Sequence, residues 1–494
     1  MMRRLSFAFA GLSVMVGACA VGPHYQPVAP AGVNGQVGAG QTDTATRSFF
    51  DSLATARASD SAARMQPAPA TANLTANEIG DLAWLDLLRD SALVDLVQTA
   101  LHQNRELQQA VARIQEFRAE VGVARAPLFP SISASGTAST NRVTFGTGTP
   151  ISYQALQVAG NVAWELDFWG KTRRGLQAAQ ADLGAQEAAQ RSVVLSLVSD
   201  VATGYLQLLE LDQERAIAES TLVSRRATLA LARSRFQQGL TSELDVRQFE
   251  AQVSAPAVRL AQVDRLRAEQ EHALSVLIGA EPRSIHRGVS LSEAVAALHV
   301  PDSLPARLLE RRPDVRQAER ALAAATARIG VAQAARLPAV TITGFYGTQA
   351  PNSDRLFSSS AEVYQLQAGI SIPLFTGGRL VNATRAARAR AEQARAAYEQ
   401  TALEALREAG DALVGVRTAR DEVIAQQTQA EALSRALHLA ELRYRTGVSN
   451  YLEVLEAQRG LFDAQLALSQ AQLRQLTAAV QLYKALGGSW NEQK

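Results

Sequence analysis

Cysteine is almost missing. The chain of 494 residues holds one, Cys19, so no disulfide can form within it. Aromatic residues are scarce at 5%, and the six histidines, His24, His102, His272, His286, His299 and His438, are scattered without the spacing of metal ligands. Neither a metal nor another cofactor is implied. Net charge is small too: the formal excess is +2, Arg3 and Arg4 alone supply it, and no nucleic-acid partner is implied. Proline is absent from Lys171 to Gln238. No nucleophile constellation marks an enzyme. The stretch Trp169 to Thr172, WGKT, lacks the glycine that a phosphate-binding loop needs five residues before Gly170, where Glu165 stands. What the chain does have is 47% apolar residues and abundant alanine, a composition suited to long, closely packed helices.

The first residues, MMRRLSFAFAGLSVMVGACA, read as two arginines, an apolar run and small residues up to Cys19. This is a secretory signal, and its apolar run is too short to span a bilayer, which takes about twenty residues. Val16-Gly17-Ala18-Cys19 also fits a bacterial lipobox, in which Cys19 becomes the lipidated first residue; an ordinary signal with a chance cysteine is the alternative. Ala20 in place of an aspartate points to the outer membrane.

Slid against itself, the chain repeats. Pro130 pairs with Pro338, Gly239 with Gly447 and Gly279 with Gly487, each at a separation of 208, while Phe168 pairs with Phe375 at 207. The expected plan is a signal at 1–18, a lipidated extension at 19–83, a first repeat at 84–300, a second at 301–489 and a tail at 490–494. Each repeat starts with a helical stretch, such as Leu93 to Ala124, that leads through a proline to period-two segments. In the first repeat Leu156, Val158, Gly160, Val162, Trp164, Leu166 and Phe168 alternate with more polar residues. In the second, Tyr364, Leu366, Ala368, Ile370 and Ile372 do the same. Weaker alternating stretches start at Ser131 and Ala339, so four strands are expected.

Most of the remainder is helix. The proline-free run from Lys171 would reach roughly 100 Å if unbroken. After Asn450, Leu452, Leu455, Phe462, Leu466, Leu473, Leu476, Val480 and Tyr483 form a seam for an antiparallel neighbour. Gly239 and Gly447 would sit at hairpin tips. Four strands with an apolar face leave edges unpaired. They would pack on the helices as a small sheet, or close with other copies into a membrane barrel, three copies giving about twelve strands.

Several segments resemble the TolC-like outer membrane factors of tripartite efflux pumps, in the NodT-type lipoprotein branch. They are CAVGPHYQP from Cys19, LLERRPDVRQAERALAAATARIGVAQAARLPAVTITG, IPLFTGGR, and LRYRTGVSNYLEVLEAQ. The resemblance implies a mainly α chain with a membrane β-barrel: a homotrimer whose twelve-stranded barrel, set in outer membrane lipid, continues as a helical barrel. It also implies docking at the periplasmic tip with an adaptor protein and an inner-membrane pump of RND type. Residues 31–77 are longer than the family pattern provides. The duct of a type I protein secretion system and a non-conducting trimeric scaffold lipoprotein are the alternatives.

The resemblance places Asp245, Glu453 and Glu456, with Tyr444, at the periplasmic gate. It places the adaptor contacts on Gly239, Leu240, Thr241 and Ser242 and on Gly447, Val448 and Ser449. Three acids per chain would crowd nine carboxylates near the axis of a trimer, raising some pKa values and attracting cations. Asp245 and Glu453 have a second reading. Ser242 and Asn450 stand three residues before them, the spacing of a capping box, and capping and gating can coexist. Glu456 has no capping role; its other reading is an ordinary exposed acid.

Overall fold

The computed structural model describes residues 21–23, 25, 90–144, 148, 150–298, 312–449 and 451–488. The signal, Cys19, the extension from 31 to 77, the cap candidate Asn450 and the tail lie outside the described residues. The chain divides into two units, one of Met1–Pro30, Ala112–Ala188 and Gln317–Gln400, the other of Ala31–Val111, Ala189–Arg316 and Thr401–Lys494.

The first unit holds all four strands: β1 (Ser131–Val143), β2 (Ile151–Leu166), β3 (Ala339–Ala350) and β4 (Glu362–Ser371). They form one antiparallel sheet in the order β1-β2-β3-β4. β1 starts at Ser131, as expected, and runs for 13 residues, almost all of them exposed. Directly opposed residues share a face. Ile132, Val162, Gly344 and Leu366 therefore lie in one row, Ala134, Gly160, Tyr346 and Tyr364 in the next, and Leu166, Val340 and Ile370 in a third on the same face. Ser131, Ala163, Thr343 and Gln367 line the opposite face. The apolar face is open, with Ile132 83% and Tyr364 78% exposed. Among the described residues β1 and β4 each keep one edge without a strand partner.

The helices come in matched pairs. α1 (Ser91–Gln103) and α2 (Arg105–Arg125) precede β1; α3 (Lys171–Gln237) and α4 (Glu243–Leu277) follow β2. The short α5 (Leu291–Ala297) then leads towards α6 (Pro313–Ala334), and α7 (Arg379–Arg445) and α8 (Tyr451–Ala485) follow β4. Helices α3 and α7 are both 67 residues long, α4 and α8 both 35, and each partner begins 208 residues after its counterpart. Among the described residues α3 alone has the length and hydropathy of a membrane helix, yet 56% of that window is buried inside the protein. It is a core helix.

The stretch expected as one helix from Leu93 is two. Asn104 breaks it: its Oδ1 accepts from Leu107 N at 2.9 Å, capping α2, and its Nδ2 donates to Leu277 O at 2.8 Å. The position 208 residues later is Arg312, whose Nη1 donates to Ala485 O at 3.0 Å, the counterpart of Leu277. Its guanidinium also grips Asp314 and Glu408, each at 2.7 Å. Arg312 is thus the second copy of a clasp between a helix start and the end of the hairpin that follows in the same repeat. A core packs around these helices in the second unit, with Leu93, Val97, Tyr205, Leu274, Leu291, Leu476 and Val480 almost fully buried.

Candidate functional site

The two hairpin tips are built from the same chemistry. At the end of α3, Gly239 takes φ +74°, its N–H donates to Phe236 O at 2.9 Å and Leu240 N–H donates to Arg235 O at 2.9 Å. At the end of α7, Gly447 takes φ +77°, and the matching bonds run from Gly447 to Tyr444 O at 3.1 Å and from Val448 to Arg443 O at 3.0 Å. This double closure needs a left-handed residue just past the helix, where glycine alone carries no Cβ penalty. A Cβ on either glycine would meet nothing within 4 Å. Beside them Leu240 is 66% and Val448 71% exposed, and Leu244 and Leu452 are open as well. Thr241 and Ser449 are half-buried and Ser242 exposed. The leucine at 452, expected in the helix seam, points out. Tyr451, Val454 and Gln458 turn inward beside the expected Phe462.

Under the tips lies a shared core of Leu229, Ala232, Val246 and Phe249 from the first hairpin and Ala440, Tyr444, Tyr451 and Val454 from the second. The Phe249 and Tyr451 rings meet with centroids 4.0 Å apart, tilted by 57°. Burying Phe249 this way contributes about 2–3 kcal/mol. Tyr444 is 8% exposed, and the Arg235 guanidinium sits 4.7 Å above its ring. It is a core residue of the tip in this single chain. The Tyr451 hydroxyl is buried without a hydrogen-bond partner, and burial, followed by the charges of Asp245 and Tyr444, pushes its pKa up to about 12. Sequence reasoning passed over Tyr451, Phe249 and Arg235. The available signal was the repeat itself, which sets Tyr451 opposite Glu243 and Tyr444 opposite Phe236.

Of the acids, Asp245 is a capping residue. Its Oδ2 accepts from Thr241 Oγ1 at 2.6 Å and from Ser242 N at 3.1 Å, while its own N–H donates to Ser242 Oγ at 3.2 Å. The Thr241 hydroxyl first, then the Ser242 groups, hold its carboxyl below the usual range, and partial burial opposes them. Glu453 forms an ion pair with Arg443 at 3.5 Å, both about half exposed. Glu456 is exposed on α8, one turn beyond Glu453, and has no ion pair or hydrogen bond among the described residues. In the first hairpin the exposed charges neutralise one another, since Arg247 pairs with Glu243 at 3.2 Å and with Glu250 at 2.9 Å. All four candidates thus lie on the elements that form the two tips, Tyr444 in their shared core, and of the three acids Glu456 is the one without an ion pair or hydrogen bond among the described residues.

The family described as Outer membrane efflux protein matches twice, over residues 96–280 and 304–488, an offset of 208. The solvent efflux pump outer membrane protein SrpC of Pseudomonas putida is 36% identical over 490 residues, 97% of each chain. The probable efflux pump outer membrane protein TtgC of Pseudomonas putida KT2440 is 35% identical over 430 residues, 86% of this chain and 88% of its own. Among solved structures, the outer membrane protein VceC of Vibrio cholerae superposes with a TM-score of 0.75 at 29% identity, covering 84% of this chain and all of its own. The open-state MtrE outer membrane channel of Neisseria gonorrhoeae is 29% identical with a TM-score of 0.75, covering 82% of this chain and 91% of its own. Two family matches that reproduce the internal repeat, with relatives aligned over nearly the full length, place the chain in the outer membrane efflux protein family.

Proposed function

We propose that three copies of the chain form the exit duct of a tripartite efflux pump, a passive conduit that carries small molecules across the outer membrane. The observation that carries this reading is the four-stranded sheet, which has an open apolar face and, among the described residues, two edges without a strand partner. In lipid an open sheet edge is not tolerated, so the strands must join those of other copies. Three copies give about twelve strands, a size that leaves a polar lumen. Cys19 is the lipid anchor at the head of the 19–83 extension, after removal of residues 1–18.

The tips then face the periplasm. The open apolar pairs Leu240 with Leu244 and Val448 with Leu452 offer an adaptor protein a surface, together with Gly239, Thr241, Ser242, Gly447 and Ser449. An inner-membrane pump, of RND type in this reading, supplies the energy. At the gate Glu456 supplies charge and Glu453 contributes through its partly screened pair with Arg443, while Asp245 and Tyr444 hold the frame on which the gate is built. Relatives named for solvent and toluene pumps make small apolar compounds the first substrates to test.

The test is reconstitution of the full-length mature protein in planar bilayers, alongside efflux of a toluene-like solute by cells carrying or lacking the gene. The expected result is a stepwise conductance together with loss of solvent tolerance on deletion. A protein that inserts and conducts nothing sinks the duct reading and leaves the scaffold.

A further inference from the structure

Two carboxylates are buried side by side in the helical unit. Glu210 and Glu214 stand four residues apart on α3 and so share a helix face; they are 6% and 1% exposed. About 27 residues, roughly 40 Å of helix, separate them from the tip at Gly239. Facing them are Arg259 of α4, whose Nη2 donates to Glu214 Oε2, and Ser469 of α8, 1% exposed. Glu210 Oε1, Arg259 Nε and the Ser469 hydroxyl are all buried without a hydrogen-bond partner. The Ser469 hydroxyl lies against the Glu210 carboxyl yet outside hydrogen-bond geometry. The charged groups acting on Glu210 are Glu214 and Arg259. With both acids ionised, two negative charges confront one positive charge away from water, and such an excess is relieved by taking up a cation.

The duplication isolates the surplus acid. At a separation of 208 residues Glu214 corresponds to Glu422, which is only half-buried, its side chain 40% exposed, and pairs with Arg474 at 2.6 Å. Glu210 corresponds to Thr418, whose hydroxyl donates to Val414 O at 2.9 Å. The second copy builds the same helix without a second carboxylate, so helix formation does not require Glu210.

We propose that Glu210 and Glu214 bind one proton between them, as a hydrogen-bonded carboxyl–carboxylate pair neutralised by Arg259, and that this proton-binding site sets how tightly α8 packs on the α3–α4 hairpin. Arg259 donates to Glu214 and leaves Glu210 without a cationic partner of its own, so the proton resides on Glu210. Its O–H donates to Glu214, and its other oxygen stands ready for the Ser469 hydroxyl. Burial first, then the Glu214 charge, push the Glu210 carboxyl from its ordinary 4.5 up to about 7. The packed state therefore holds the proton more tightly than the loosened state. Its advantage is full below the ordinary carboxyl value and is lost as pH rises to about 7.

Infrared difference spectroscopy of the detergent-solubilised protein tests the proton directly. Between about pH 6 and pH 8.5 the wild type loses a protonated-carboxyl band, and Glu210→Gln, an isosteric change, lacks that band while Glu422→Gln retains it. Hydrogen exchange in the peptide containing Ser469, corrected for its intrinsic rate, speeds up about tenfold over that interval in the wild type and stays flat in Glu210→Gln. Absence of the band in the wild type overturns the proposal without reference to any variant. Exchange that follows sodium concentration in place of pH overturns it in favour of a bound metal cation.

Discussion

Alanine at Gly447 and at Gly279 asks the same backbone question in two different surroundings. Both residues are left-handed, with φ +77° and +81°, and a side chain there costs about 1–2 kcal/mol. At Gly447 a Cβ meets nothing within 4 Å, so that is the whole cost, and it is confined to the tip. At Gly279 the Cβ lands 2.4 Å from Gln103 O and 2.7 Å from Gln103 C, where backbone blocks it. Forcing that contact adds about 1–3 kcal/mol for the displaced helix end, giving about 2–5 kcal/mol in all. Thermal unfolding of the solubilised protein should therefore rank Gly279→Ala well below Gly447→Ala, with Gly239→Ala level with the latter. Gly239 and Gly447 have open space before them in the single chain, so a loss of efflux in their alanine variants, at unchanged folding, measures a partner's surface. A drop in unfolding temperature at Gly447→Ala as large as at Gly279→Ala would refute the reasoning. So would full efflux in the Gly239→Ala, Gly447→Ala double variant, on the docking side.

Ser242→Ala removes the acceptor of the Asp245 N–H and should cost about 1 kcal/mol, measured by denaturant unfolding of the tip. Because Asp245 is held below its ordinary value, its contribution is present above the unfolded carboxyl pKa and disappears as pH falls through the lowered one. Acid titration of exchange at the tip should show that loss below about pH 4, and Asp245→Asn should abolish it. Glu456→Gln should alter single-channel conductance or cation selectivity while stability changes by less than about 0.5 kcal/mol; unchanged currents would remove Glu456 from the gate. Arg312→Met breaks a grip in which the guanidinium is 7% exposed and its acids 39% and 45%. Since the abandoned carboxylates are already half solvated, a loss of about 2 kcal/mol is expected, short of the penalty for a fully buried pair, and thermal unfolding reads it.

The duplication was legible in the sequence because glycine has so few substitutes where φ is positive: Gly239 with Gly447, and Gly279 with Gly487, mark the same four helix ends that the structure closes. The strand alternation was legible for the related physical reason that one face meets apolar surroundings and the other does not. Helix phase was less so. At the start of α8 Leu452 lies outside and Tyr451 within, while Phe462, Leu476, Val480 and Tyr483 keep their expected places in the seam. Asn104 was passed over as a break: its cap on Leu107 N is local, but the carbonyl that its Nδ2 also holds lies 173 residues away. Tyr444 was assigned by resemblance to a gate, and the partner that fixes it in the core, Arg235, belongs to the other hairpin. Glu210 and Glu214 carry no signal at all, because an acid at helical spacing reads as a solvated face until Arg259 and Ser469 are brought against it.

The central claim, that the sheet closes only with other copies, rests on the edges of β1 and β4 that have no strand partner among the described residues. Cys19 is the sole cysteine, so cysteines introduced in pairs along exposed positions near Ser135 of β1 and Gln365 of β4 give an unambiguous crosslinking readout in outer membranes. The account predicts oxidised bands that end at three copies. Crosslinks that form within one chain, or a ladder that continues past three, contradict it.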